Sequence, residues 1–183
     1  DDSEDGATLR LLSSEVTRLD LLLKDYMSLA ARYETAAEPV VLADLLGSVV
    51  RLLSADRRAA GRTVVLDAPS DVQVMGDHEA LKQVFVNVLL NAFEASGDCA
   101  AVRVTVRGDD AGVWCVVDDP GSGPGAATDQ CFAPFFTTKP NGTGLGLTVS
   151  RRIVAAHGGT MSLQPRAPRG ARVTIALPAR RPL

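Results

Sequence analysis

An α+β fold follows from three observations on this chain of 183 residues. Several stretches carry apolar residues at three-four spacing, the mark of amphipathic helices. Short β-rich runs stand between them and read as strands. The order of these elements gives a two-layer α/β sandwich, helices on one face of a mixed sheet, preceded by one long N-terminal helix. The length fits one domain of ordinary size plus that appended helix.

The long helix covers about 7–36. Leu9, Leu12, Val16, Leu19, Leu23, Tyr26, Ala30 and Tyr33 recur at three-four spacing, and Leu11, Leu22 and Leu29 add a second stripe. Apolar surface on two flanks is too much to leave exposed, so the helix is expected to pack against another. The alternative is an amphipathic helix folded back on its own domain. A second helix is expected near 42–60, stopped at Gly61, followed by short strands at Arg62–Asp67 and Val72–Met75.

A third helix spans 77–96. Asp77 is its N-cap, and Leu81, Val84, Phe85, Val88, Leu89 and Phe93 supply a broad apolar face. Strands follow at 101–107 and 112–118. A loop over roughly 120–142 is too long to be idle in a compact domain and is expected to be functional or mobile. Val149, Ile153, Val154 and Ala156 give 145–157 helical spacing, which Gly158 and Gly159 end. Strands at 159–164 and 171–177 close the chain.

Composition excludes several classes. The net charge of −3 makes no general electrostatic case for nucleic-acid binding, and Arg180-Arg181 is too short a basic run to change that. No stretch approaches eighteen consecutive apolar residues and no signal peptide is present, so no membrane segment is expected in this chain. Cys99, Cys115 and Cys131 lack Cys-x-x-Cys spacing, which fits a reducing cytoplasm and argues against structural zinc.

Three motifs carry chemistry. The first is Gly142-Thr143-Gly144-Leu145-Gly146-Leu147, a glycine-rich turn opening a helix. Such a turn presents free backbone N–H groups and the positive end of the helix dipole to an anion. Its spacing is neither that of a P-loop nor that of a Rossmann turn, and a flexible linker before a helix is the plain alternative.

The second motif is Asp119-Pro120-Gly121-Ser122-Gly123, placed where the apolar strand Val113-Trp-Cys-Val-Val117 ends. A carboxylate there can accept a hydrogen bond from an exocyclic amine, and the glycines let a flat base approach the backbone. An ordinary Asp-Pro-Gly turn is the competing reading.

The third is Asn87-Val-Leu-Leu-Asn91-Ala92, which puts two amides on one face of an otherwise apolar helix. Buried amides need partners. An amide oxygen also suits Mg²⁺, which favours oxygen ligands, phosphates and retained waters. Helix-capping or core-bridging asparagines are the alternative.

In this order, and with Phe132-Ala-Pro-Phe135-Phe136-Thr-Thr138-Lys139 between the second motif and the glycine turn, the set resembles the catalytic and ATP-binding domain of bacterial sensor histidine kinases. More broadly it resembles the GHKL superfamily with its Bergerat ATP-binding fold. The likeness runs from about Pro39 to Pro178, and Asn91-Ala-Phe-Glu94-Ala points to the nitrogen-regulator-like subgroup.

The resemblance implies ATP and Mg²⁺ as cofactors, with Asn91 holding the metal and Asn87 beside the phosphates. Asp119 would read the adenine amine, flanked by Gly121 and Gly123, and Thr174 would share a water with it. Thr138 and the run Gly142, Thr143, Gly144, Leu145, Gly146, Leu147 would line the nucleotide, Gly144 and Gly146 embracing its phosphates. Lys139, in the lid, would neutralise the γ-phosphate, so that Asn87 and Lys139 form the catalytic pair. His157-Gly158-Gly159 matches a common family string and reads as structural. The chain departs from the pattern at Ala133, where the family usually has Glu, at Pro120, and in a slightly short lid.

The resemblance also divides the chain. Residues 1–37 resemble the second helix of a dimerisation and histidine-phosphotransfer hairpin, and 38–183 the catalytic ATP-binding domain. The acceptor histidine is missing: His78 and His157 are the chain's histidines, and both lie in the nucleotide-binding portion. The expected activity is therefore transfer of the ATP γ-phosphoryl to a histidine absent from this chain, for relay to the receiver domain of a response regulator. A homodimer through a helical bundle is expected for the full-length protein, which is cytoplasmic or membrane-anchored through other segments. Two other functions compete. A GHKL-type ATPase would typically carry a Glu general base where this chain has Asn87, and an amide cannot take a proton from water. A non-catalytic adaptor docking a response regulator would tolerate decay of the glycine motifs, which are intact.

Overall fold

The computed structural model describes residues 38–54, 61–97, 101–125, 128–139 and 142–179, with scattered positions between Gly6 and Met27. Those scattered positions are helical. Leu9, Leu12, Val16, Leu19, Leu23 and Tyr26 all lie exposed on them, so the seam is not folded back on this chain's own domain at the described residues. Ala30, Tyr33 and the second stripe, Leu11, Leu22 and Leu29, lie outside the described residues.

The rest is the expected two-layer sandwich. Strands β1 (Glu38–Val41), β2 (Thr63–Asp67), β3 (Gln73–Gly76), β4 (Ala101–Gly108), β5 (Gly112–Asp119), β6 (Thr160–Pro165) and β7 (Ala171–Pro178) alternate with helices α1 (Leu42–Ser54), α2 (His78–Ser96) and α3 (Gly146–Ala156). Five strands form one sheet in the order β2-β4-β5-β7-β6, parallel only between β2 and β4. β1 and β3 pair antiparallel as a separate ribbon. β1 is an element that local sequence does not announce: Glu38-Pro39-Val40-Val41 is too short to show alternation. The expected helix end near residue 60 falls outside the described residues, of which Ser54 is the last in α1.

Strand periodicity explains the layering. Val102, Val104 and Val106 of β4 and Val173, Ile175 and Leu177 of β7 are buried on one face, which the helices cover. Leu45, Leu46 and Val49 of α1 and Leu81, Phe85, Leu89 and Phe93 of α2 meet them, and Ile153 and Val154 of α3 complete the core. Asp77 caps α2 by accepting from the N–H groups of Glu79 (2.9 Å) and Ala80 (3.0 Å).

His157 joins two helix ends. Its Nδ1 donates to the Ile153 carbonyl at 2.7 Å, so Nε2 is the unprotonated nitrogen, and it accepts from the Asp77 N–H at 3.0 Å. A side chain at Gly76 would strike this ring, with a Cβ 2.5 Å from it. The structural reading of His157 holds.

Candidate functional site

The C-terminal half of α2, the end of β5, the described residues of the loop after it and the start of α3 line a cleft of about 440 Å³. It is lined by side chains or backbone of Asn87, Asn91, Asp119, Gly123, Thr138 and Lys139, and by Gly142, Thr143, Gly144, Gly146 and Leu147 of the glycine turn. Residues drawn from three motifs far apart in sequence thus share one cavity. Gly121, Leu145 and Thr174 do not line it.

Asp119 sits at the inner end, 5% exposed. Its Oδ1 accepts from the N–H groups of Gly121 (2.8 Å) and Ala171 (3.3 Å). Burial raises its pKa above the ordinary carboxylate value, against the pull of those two N–H groups. With Oδ1 held by backbone, Oδ2 accepts from no described residue and is the oxygen left for a ligand. Gly121 serves from outside the cleft. Besides its N–H bond, it lies so close to α2 that a Cβ would fall 2.4 Å from the Ala95 carbonyl oxygen.

The neighbouring Asp118 points to the other face of the sheet. There it pairs in two-pronged fashion with Arg172, at 2.6 and 2.7 Å.

Thr174 requires a correction. It pairs with Val116, whereas Asp119 pairs with Ala171 three residues along each strand, an odd separation, so Thr174 faces away from Asp119 and from the cleft. On β7, Ala171 and Val173 share the face of Asp119, and both line the cavity. The alternation of Val173, Ile175 and Leu177 already placed Thr174 on the outer face.

The glycine turn is shaped by contact with the lid. Gly144 has φ +68°, and a Cβ there would fall 2.4 Å from the backbone of Phe135, itself at φ 64°. Leu145 is buried and anchors the turn in the core. It opens α3 without a side-chain cap, so the first N–H groups of α3 are available beside the cleft. Thr148 Oγ1 donates to the Phe132 carbonyl at 3.0 Å, and Arg151 stacks over the Phe132 ring at 4.8 Å, tying the lid stem to α3.

Asn87 proves to be a joint. Its Nδ2 donates to the Gly146 carbonyl at 3.2 Å and to Ser150 Oγ at 3.4 Å, and Ser150 Oγ donates to the same carbonyl at 2.8 Å. Ser150, fully buried, escaped the sequence reading because a single serine in a helix carries no pattern. Asn91, one turn on, offers its Oδ1 to the cleft, where the Lys139 ammonium donates to it at 2.7 Å. The same ammonium donates to Glu94. The Asn91 amide oxygen already carries one cation, and an oxygen ligand of this kind fits a hard divalent ion.

Comparison with known proteins agrees with this geometry. Residues 76–181 match the family model for histidine kinase-, DNA gyrase B-, and HSP90-like ATPase. The chain is 36% identical over 175 residues to the sensor histidine kinase ZraS of Escherichia coli O157:H7, covering 92% of this chain and 37% of that protein. It therefore spans well under half the length of that relative. Full-length ShkA, solved in complex with AMPPNP, superposes with a TM-score of 0.78 at 26% identity, over 94% of this chain and 38% of that one. Histidine kinase ThkA, solved with the response regulator protein TrrA, gives 0.76 at 25% identity, over 92% and 49%.

Proposed function

This chain belongs to the histidine kinase-, DNA gyrase B-, and HSP90-like ATPase family, and we propose that it is the ATP-binding catalytic portion of a two-component sensor histidine kinase. The observation that carries the reading is Asp119. A buried carboxylate with one oxygen fixed by two backbone N–H groups leaves the other to accept from an adenine amine. At the far end of the same cleft, the uncapped start of α3 and Lys139 face the place where phosphates would lie.

Asn91, whose amide oxygen faces the cleft, would hold Mg²⁺. The chemistry such an ion would supply there is electrostatic stabilisation of the transferred phosphoryl group. Lys139 adds a second positive charge from the lid, and the glycine turn orients the phosphates through backbone N–H groups. Asn87 keeps α3 and the turn in place. Its amide cannot act as general base toward water, which favours phosphoryl transfer over hydrolysis.

The acceptor histidine comes from another segment or another chain. His157 uses both ring nitrogens in the fold, and His78 pairs with Glu79 at the start of α2, so neither is offered to the cleft. Residues 1–37 serve as the second helix of a dimerisation hairpin and 38–183 as the catalytic domain, the exposed seam of Leu9, Leu12, Val16, Leu19, Leu23 and Tyr26 being the dimerisation surface of the full-length protein. The downstream partner is the receiver domain of a response regulator. No helix among the described residues is long and apolar enough to cross a membrane. Cytoplasmic placement rests on the cysteines, of which Cys115 is buried and free, its thiol pKa pushed up to about 12 by burial.

The test is labelled ATP with the chain alone and with a separate two-helix hairpin carrying an acceptor histidine. Label should appear on the hairpin only. Label on this chain by itself, or none on the hairpin despite ATP binding, would sink the reading.

A further inference from the structure

Lys139 spans the cleft. Its ammonium, from the lid, donates to two residues of α2 that stand three apart on one helix face, Asn91 and Glu94. The bond to the Asn91 amide oxygen is 2.7 Å long. Neither partner is fully solvated: the Lys139 side chain is 37% exposed and that of Glu94 35%. The backbone on either side is also held, because the Lys139 N–H donates to Thr137 Oγ1 at 3.1 Å and its carbonyl accepts from the Gly142 N–H at 3.3 Å. The lysine is therefore aimed by its turn and anchored by Glu94.

We propose that Glu94 is a positioning residue that holds the Lys139 ammonium on the Asn91 amide oxygen, so that the lid lysine and a divalent cation compete for that one oxygen. The inference rests on the ATP-site reading and deepens it. Mg²⁺ takes an oxygen ligand at about 2.0–2.1 Å, and a second positive charge on the same oxygen is repelled. The cation that arrives with a nucleotide therefore displaces the lysine, and the lysine moves to the phosphates, which offer new negative charge. Glu94 sets how tightly the lysine is kept beforehand. Metal loading and release of the Lys139 ammonium become one event.

The experiment titrates MgCl₂ into the chain at fixed concentration of a fluorescent ATP analogue and reads the midpoint of the magnesium dependence by anisotropy. Glu94→Gln keeps the size and removes the charge. Its midpoint should fall about threefold, the worth of a partly screened ion pair. Glu94→Asp should lie closer to the parent chain. In a Lys139→Gln background, Glu94→Gln should shift the midpoint no further. A rise in the midpoint would make Glu94 a metal ligand and overturn the proposal. An unchanged midpoint, or an equal fall in the Lys139→Gln background, overturns it too. If the parent chain binds no analogue at any magnesium concentration, the ATP reading is what fails. The competition then remains readable with Mn²⁺ alone, through paramagnetic broadening of the Asn91 side-chain amide. The broadening should need less Mn²⁺ in Glu94→Gln, and equal requirements refute the proposal.

Discussion

Replacing Asp119 by Asn separates what this residue does for the fold from what it does for the ligand. In the fold, Oδ1 accepts from Gly121 at 2.8 Å and Ala171 at 3.3 Å. An asparagine Oδ1 can accept both. At the ligand, a charged acceptor is replaced by an NH₂ group that points a donor at the adenine amine. A hydrogen bond to a charged group is worth about 1.5–3 kcal/mol, which converts to a loss of about ten- to a hundredfold in affinity. The clash of two donors pushes the effect toward the upper end.

Stability moves the other way with pH. Burial raises the folded pKa of Asp119 above its ordinary 3.8, so the stability tied to its protonated form is present below 3.8 and lost as pH rises through the raised value. Asparagine carries no such slope. The melting temperature of the variant minus that of the parent should therefore increase from acid to neutral pH, while ATP-analogue affinity measured by calorimetry collapses. Unchanged affinity in a folded variant would refute the assignment of Oδ2 to the base. A variant that fails to fold would refute the claim that the backbone bonds survive.

Three further outcomes are expected. ATP-analogue binding by the parent chain should weaken on acidification beginning above 3.8, because the carboxylate is neutralised early; a profile flat down to that pH counts against Asp119. Gly121→Ala brings a Cβ to 2.4 Å from the Ala95 carbonyl oxygen, a backbone atom that cannot rotate away. It should cost about 1–3 kcal/mol in urea unfolding, and an unmoved midpoint would contradict the contact. His157→Phe leaves the Asp77 N–H without its acceptor. A loss of about 1–3 kcal/mol should follow, with nucleotide affinity unchanged if the role is structural.

The fold was largely legible because its periodicities are strong. Asp77 ahead of Leu81, Val84, Phe85 and Val88 marks the start and the inner face of α2 without reference to anything distant. β1 was not legible, since Glu38–Val41 becomes a strand only by pairing with Gln73–Gly76, far along the chain. The motif residues were legible as types, and most of them meet in one cleft. What eluded the sequence was parity and pairing. Thr174 fails because one step along a strand reverses the face, and Ala171 succeeds through its backbone N–H, which no side-chain pattern can advertise. Glu94 and Ser150 reach the cleft's hydrogen-bond network through Lys139 and Asn87, each more than forty residues away.

Asn87 shows how fold and chemistry constrain one position at once. Its Nδ2 is the donor that joins α2 to the Gly146 carbonyl, at the very start of α3, where the glycine turn must be held open. A carboxylate at 87 would set negative oxygen against that carbonyl oxygen and release the joint. The residue that a hydrolase would need as a base is therefore the residue this helix pairing cannot accommodate. On the proposed reading, a preference for transfer over hydrolysis would follow from how α3 is seated. It follows that adding a glutamate here would disturb the phosphate end of the cleft before it could supply any proton acceptor.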